Sequence, residues 1–153
     1  MEKYALENAL RLATTDLNRS EKEIQRHEAD LKQAQGDWKS YADKEFNNEN
    51  LEKIKAEELD ENLLVCPTCG QDLPVEQAEK IRSEFEQKKA KRIADGESVK
   101  TSFYEAKDKK LTEITESGNK AAADLKEAKK AKEEAERKIL EIIKIMFSLV
   151  LKI

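Results

Sequence analysis

Leu63-Leu64-Val65-Cys66-Pro67-Thr68-Cys69-Gly70-Gln71-Asp72-Leu73-Pro74 holds both prolines and both cysteines of a 153-residue chain. The sequence on either side of it has helical periodicity, so this segment is where the chain turns. The composition agrees: 41% of residues are charged, 38% hydrophobic and 5% aromatic. A typical soluble domain is about a quarter charged and nearly half apolar, so there is too little apolar material here for a compact core. Disordered chains tend to be rich in Pro and Gly, yet this one has two Pro and four Gly. Ala, Glu, Lys and Leu dominate, as they do in long helices. Catalytic domains of the usual kinds do not fit these counts.

The N-terminal third reads as one heptad series. The a positions are Leu10, Leu17, Ile24, Leu31 and Trp38; the d positions are Leu6, Ala13, Ser20, His27, Ala34 and Tyr41. This alternation of three and four is the coiled-coil pattern. It fades at Asn47-Asn48-Glu49-Asn50, and a shorter run resumes through Leu51, Ile54, Leu59 and Leu63. After Pro74, which suits a first helical position, a second arm runs through Ile81, Phe85, Val99, Phe103 and Ala106. A cleaner series follows: Leu111, Ile114, Gly118, Ala121, Leu125, Ala128, Lys132, Ala135, Ile139, Ile142, Met146, Leu149 and Ile153.

The fold class expected is all-α, a long antiparallel coiled-coil hairpin. Residues 1–62 ascend, 63–74 turn, 75–137 descend, and 138–153 form an apolar overhang. Placing the midpoint in the turn pairs Leu10 with Ala128, Ala13 with Leu125, Leu17 with Ala121, Ser20 with Gly118, Ile24 with Ile114 and His27 with Leu111. Nearer the turn it pairs Ala34 with Phe103 and Trp38 with Val99. Large residues face small ones, as even packing density requires. A shift of one heptad also superposes the pattern, so the turn is what selects this register. Roughly 60–65 residues per arm make a rod about 90 Å long.

The turn carries chemistry. Cys-x-x-Cys followed by Gly is a zinc-knuckle half-site, whose two-residue spacer lets both thiolates reach one ion at about 2.3 Å. Pro67 stiffens the loop, and Gly70 permits the positive φ that curls amide N–H groups toward sulfur. A structural zinc takes four ligands, and this turn offers Cys66 and Cys69 alone. The single His, His27, lies about 60 Å down such a rod by helix rise. The missing pair therefore comes from another molecule. A second identical turn supplies it with two-fold symmetry, giving a homodimer with one zinc per two chains. A thioredoxin-like dithiol needs a βαβ context, and no strand pattern is present.

Cys66, Pro67, Cys69, Gly70 and Leu73 in this context resemble the zinc hook of SbcC and its Rad counterpart, SMC-like ATPases of DNA double-strand-break repair and recombination, phage homologues included. The resemblance implies zinc on Cys66 and Cys69, with Val65, Pro67, Gly70 and Leu73 at the hook interface. It covers about residues 45–95 by motif and the rest by architecture alone. The family's ATPase is missing: no Gly-x-x-x-x-Gly-Lys-Ser/Thr loop occurs. The resemblance therefore implies the distal piece of a larger protein, one that meets a nuclease subunit and DNA through parts outside this chain.

Other features read as structure. Residues 139–153 hold 11 apolar residues in 15, too short and too charged for a span of about 20. In the register above nothing faces them, so missing sequence is expected to. The rival reading is a self-standing coiled-coil adaptor that docks a partner through this segment. His27, Trp38 and Tyr41 read as seam residues. The basic runs at Lys88 to Arg92, Lys107 to Lys110 and Lys126 to Lys132 read as solvated faces rather than a DNA surface. Residues 1–60 carry 10 basic and 15 acidic side chains, residues 81–153 carry 18 and 14, so the arms have opposite sign. No triad, carboxylate dyad or open metal site is present, so no enzyme is expected. Met1-Glu2-Lys3-Tyr4 opens directly into charged sequence, which implies a cytoplasmic chain, nucleoid-associated if the parent is bacterial or phage, with its thiols reduced.

Overall fold

A computed structural model describes residues 2–152. Three α-helices dominate it: α1 (Glu2–Ala42), α2 (Glu49–Ala56) and α3 (Val75–Leu151), with a short 3-10 helix at Glu61–Leu64. Among the described residues the only β-pairing is an isolated antiparallel bridge between Val65 and Asp72. Among the described residues no helix is long and apolar enough to cross a membrane. The chain forms two compact units, residues 2–43 with 110–152, and residues 44–109.

In the first unit α1 runs antiparallel to the later part of α3. Two helices in contact bury one stripe each, so mostly small seam residues disappear: Ala13, Ser20, Ala121, Ala128 and Ala135 are buried, and of the large ones Ile114. Larger seam residues such as Leu10, Leu17, Ile24, Leu125 and Ile139 are half-buried. Ser20 loses no hydrogen bond there, because its hydroxyl donates to the Asp16 carbonyl at 2.8 Å. The three-four periodicity of both arms thus reappears as burial. Ile153, the last expected seam position, lies outside the described residues.

The register is not the expected one. Gly118 lies against Ala34, a Cβ at Gly118 coming 3.5 Å from that of Ala34, where the sequence had paired Gly118 with Ser20. The shift is two heptads. Lys132 accordingly reaches Glu21 at 4.0 Å, and Ser20 shares a cleft with Ala135. By heptad steps, Ile24 then faces Ala128 and Ala13 faces Ile139, so large again meets small there, while His27 faces Leu125. The pairings of Ala34 with Phe103 and Trp38 with Val99 fall too. Trp38 flanks Ile114 and Gly118 while staying 46% exposed, and Val99 is exposed. Residues 138–152 are no overhang: Ile139, Ile142, Met146 and Leu149 are half-buried along the α1 seam.

The second unit shows why the count slipped. The ascending chain is not helical throughout. It leaves the helix after Ala56, with Glu57 extended (φ −61°, ψ 132°), rather than continuing through Leu59. An extended residue advances about 3.3 Å, a helical one 1.5 Å, so α3 uses more residues to stay level. Leu59 and Phe85 line one cleft, and Leu51 meets Gly96. Between those contacts the ascending chain moves eight positions and α3 eleven.

Each break is held by α3. At Glu57 the Lys89 ammonium donates to the carbonyl at 2.8 Å, and the Arg92 guanidinium grips the carboxylate with both terminal nitrogens. At residues 43–48 the Lys107 ammonium donates to the Lys44 carbonyl at 2.7 Å. The Phe46 N–H donates to the Tyr104 hydroxyl at 3.4 Å, and the Phe46 ring packs on Phe103 at 5.8 Å between centroids. Backbone groups freed by leaving a helix need such partners. Leu51, the most buried large side chain of this unit, fills the space that Gly96 leaves on α3.

Candidate metal centre

The loop around the cysteines is closed by its own backbone. The Cys66 N–H donates to the Gln71 carbonyl at 2.7 Å, and the Gly70 N–H donates to the Cys66 carbonyl at 2.9 Å. One step out, the Leu73 N–H donates to the Leu64 carbonyl at 2.9 Å. Gly70 sits at φ 72°, the only positive φ among the described residues, a conformation costly for any residue with a Cβ. The chain enters through the 3-10 helix, where the Asp60 carboxylate accepts the Asn62 N–H at 3.0 Å. It leaves into α3, whose first bond runs from the Ala78 N–H to the Pro74 carbonyl at 3.0 Å. Pro74 is thus the cap, and Val75 the first helical residue.

Within this loop Cys66 and Cys69 converge. The groups that act on the Cys66 thiol are the backbone N–H of Cys69, then that of Thr68, and the Cys69 thiol. These donors favour the thiolate and hold Cys66 below its ordinary thiol value of 9.0, against a smaller opposing effect of burial. Cys66 is half-buried, Cys69 exposed, and both are free thiols. Cys-x-x-Cys spacing with a following Gly signals such amide donors; that Thr68 supplies one appears only in the fold.

Two thiols in one turn are donors of the kind a thiophilic metal takes. Among the described residues no three or more His, Cys, Asp or Glu gather in a group that could hold a metal ion. His27 is half-buried in α1, in the other unit.

Val65 and Leu73 are half-buried, lining a cleft beneath the loop with Leu64, Ala78 and Arg82. Pro67 and Gly70 are exposed, and so are Leu63 and Val75, which the sequence did not single out. In the basic runs, Lys89 and Arg92 serve Glu57, Lys107 serves Lys44 and Tyr104, and Lys132 serves Glu21 and Glu136. No protein-family model, curated protein or solved structure matches the chain.

Proposed function

We propose that this chain is a tethering module: an antiparallel coiled-coil hairpin whose tip is a zinc hook, joining two copies through one shared zinc. The observation that carries the reading is the loop itself. It carries two cysteines three positions apart in a turn closed by its own backbone, the thiolate of Cys66 favoured by backbone N–H groups, and the described chain brings no third ligand near. Zinc, when bound, demands four ligands in tetrahedral array. The residues of this chain do the rest. Gly70 allows the curl, the bonds of Cys66 with Gln71 and Gly70 hold the two sulfurs together, and the N–H groups of Cys69 and Thr68 lower the proton's claim on Cys66. A second turn of the same kind completes the set with two-fold symmetry.

On this reading the hairpin belongs to an SMC-like ATPase of DNA repair and recombination, as the Cys-Pro-Thr-Cys-Gly motif suggests. The tether bridges the heads and the DNA they hold in the cytoplasm, with a nuclease subunit engaged elsewhere on the parent protein. The chain itself is non-catalytic. The test is zinc content per chain together with mass by light scattering. One zinc per two chains and a dimer are expected. Chelation, Cys66→Ser or Cys69→Ser should give monomers of unchanged helicity, and a dimer surviving all three would refute the reading.

The adaptor reading has an observation of its own. Leu140, Ile143, Phe147 and Val150 form an exposed stripe at three-four spacing beside the α3 seam. Deleting residues 139–153 would not separate the readings, because Ile139, Ile142 and Met146 belong to the seam. Ile143→Glu with Phe147→Glu does. The adaptor loses its association, and the hook keeps its zinc dimer.

A further inference from the structure

We infer that Cys66 and Cys69 are also an oxidation site, and that an intramolecular disulfide between them is the released state of the tether. The consequence for tethering rests on the function proposed above; the disulfide itself does not. Three observations support it. The two cysteines stand three positions apart in one turn, with Cys69 exposed to a reagent. The loop that carries both is closed by its own backbone, the Cys66 N–H on the Gln71 carbonyl and the Gly70 N–H on the Cys66 carbonyl. The chain has no other cysteine, so this is the only bridge a single molecule can make. It would remove all the sulfur the chain has to offer a metal.

Glutathione disulfide is a sufficient oxidant. Cys69, the exposed thiol, attacks one sulfur of the reagent. A Cys69–glutathione disulfide forms, and the first glutathione departs with the bonding electron pair and takes up the proton given up by Cys69. Cys66 then attacks the Cys69 sulfur, expelling the second glutathione, which takes up the Cys66 proton. Two S–H bonds are lost from the protein, one S–S bond forms, and one glutathione disulfide is reduced to two thiols. The second step joins neighbours in one loop, so it outruns attack by a second chain.

The full chain, metal-free and zinc-loaded, is incubated with glutathione disulfide and followed by intact mass, thiol titration, zinc release and light scattering. The expected product is a monomer lighter by two hydrogens, without titratable thiols or zinc, that regains both and dimerises again after dithiothreitol and zinc. Chains linked to one another, or lasting glutathione adducts on the metal-free chain, would overturn the inference. A chain that closes its disulfide yet never dimerises with zinc would sink the tether and leave the oxidation site standing. A zinc dimer whose cysteines only collect adducts would do the reverse.

Discussion

Gly118 lies against Ala34: a Cβ on the glycine would stand 3.5 Å from the alanine Cβ, at ordinary contact distance. This one relationship sets the register of α1 against α3, and it separates the observed alignment from the one two heptads away.

The first prediction follows from that space. Gly118→Ala should fit, and by removing a helix-interior glycine it should stabilise the chain by about 1 kcal/mol. Urea unfolding followed by circular dichroism measures it. The same spacing suits a disulfide. With Cys66 and Cys69 replaced by Ser, the pair Ala34→Cys and Gly118→Cys should cross-link within one molecule, whereas Ser20→Cys with Gly118→Cys should not. The reverse pattern would restore the register read from the sequence.

Gly96 should behave in the opposite way. A Cβ there would come 2.8 Å from Leu51 Cδ1, and Leu51 is 3% exposed with little room to retreat. Gly96→Ala is expected to lose stability despite its better helix propensity, by about 1–3 kcal/mol as overpacking does. Leu51→Ala alone should cost about 2–5 kcal/mol. Combined, the two changes should cost less than their sum, since the new methyl group enters the space the leucine leaves. Additive losses in urea unfolding would mean that the residues do not touch.

Cys66 gives a pH dependence with a definite sign. Its thiol is held below 9.0 by the N–H groups of Cys69 and then Thr68. A group whose folded value is depressed contributes stability that is fully present above the unfolded value and is lost as pH falls through the folded one. In the metal-free chain the loop should therefore tighten as pH rises from the folded value toward 9.0 and loosen in acid. In Cys69→Ser, which keeps both backbone donors, thiolate absorbance near 240 nm should appear at lower pH than in a peptide of residues 63–74 carrying the same change. Coincident titrations would remove the N–H groups as the cause.

The tip is acidic, and that predicts how salt acts on a dimer. From Glu57 to Glu79 there are seven carboxylates and no Lys or Arg. Arg92 pairs with Glu57, while Glu58, Asp60, Glu61, Asp72, Glu76 and Glu79 are exposed. Two such tips repel, and salt with a Debye length of about 10 Å at 0.1 M screens them. The zinc dimer should tighten several-fold between low and moderate sodium chloride. Glu61→Gln with Asp72→Asn and Glu76→Gln should flatten that dependence. Sedimentation measures both, and weakening with salt would mean that the tip is made for a basic partner rather than its own copy.

Much was legible in the residues. The start of α3 after Pro74, the turn at Cys66 to Gly70, and the seam from Leu111 to Leu149 all follow from local properties: a ring that fixes φ, a missing Cβ, an apolar residue every three or four positions. Two cysteines and one histidine were legible in the same way, by counting. What misled was Leu59, whose apolar spacing continues that of α2 although the chain is already extended at Glu57. The cause lies on the other arm, where Lys89 and Arg92 hold Glu57 and make the departure from helix affordable.

The amino acids by themselves thus determined the helical arms, the place of the turn and the presence of two cysteines within it. Only the tertiary structure decided which residue faces which. A heptad pattern slid by seven looks the same to itself, and the tie is broken by how many residues the ascending chain leaves extended. That number is set by contacts with α3, which no local pattern records.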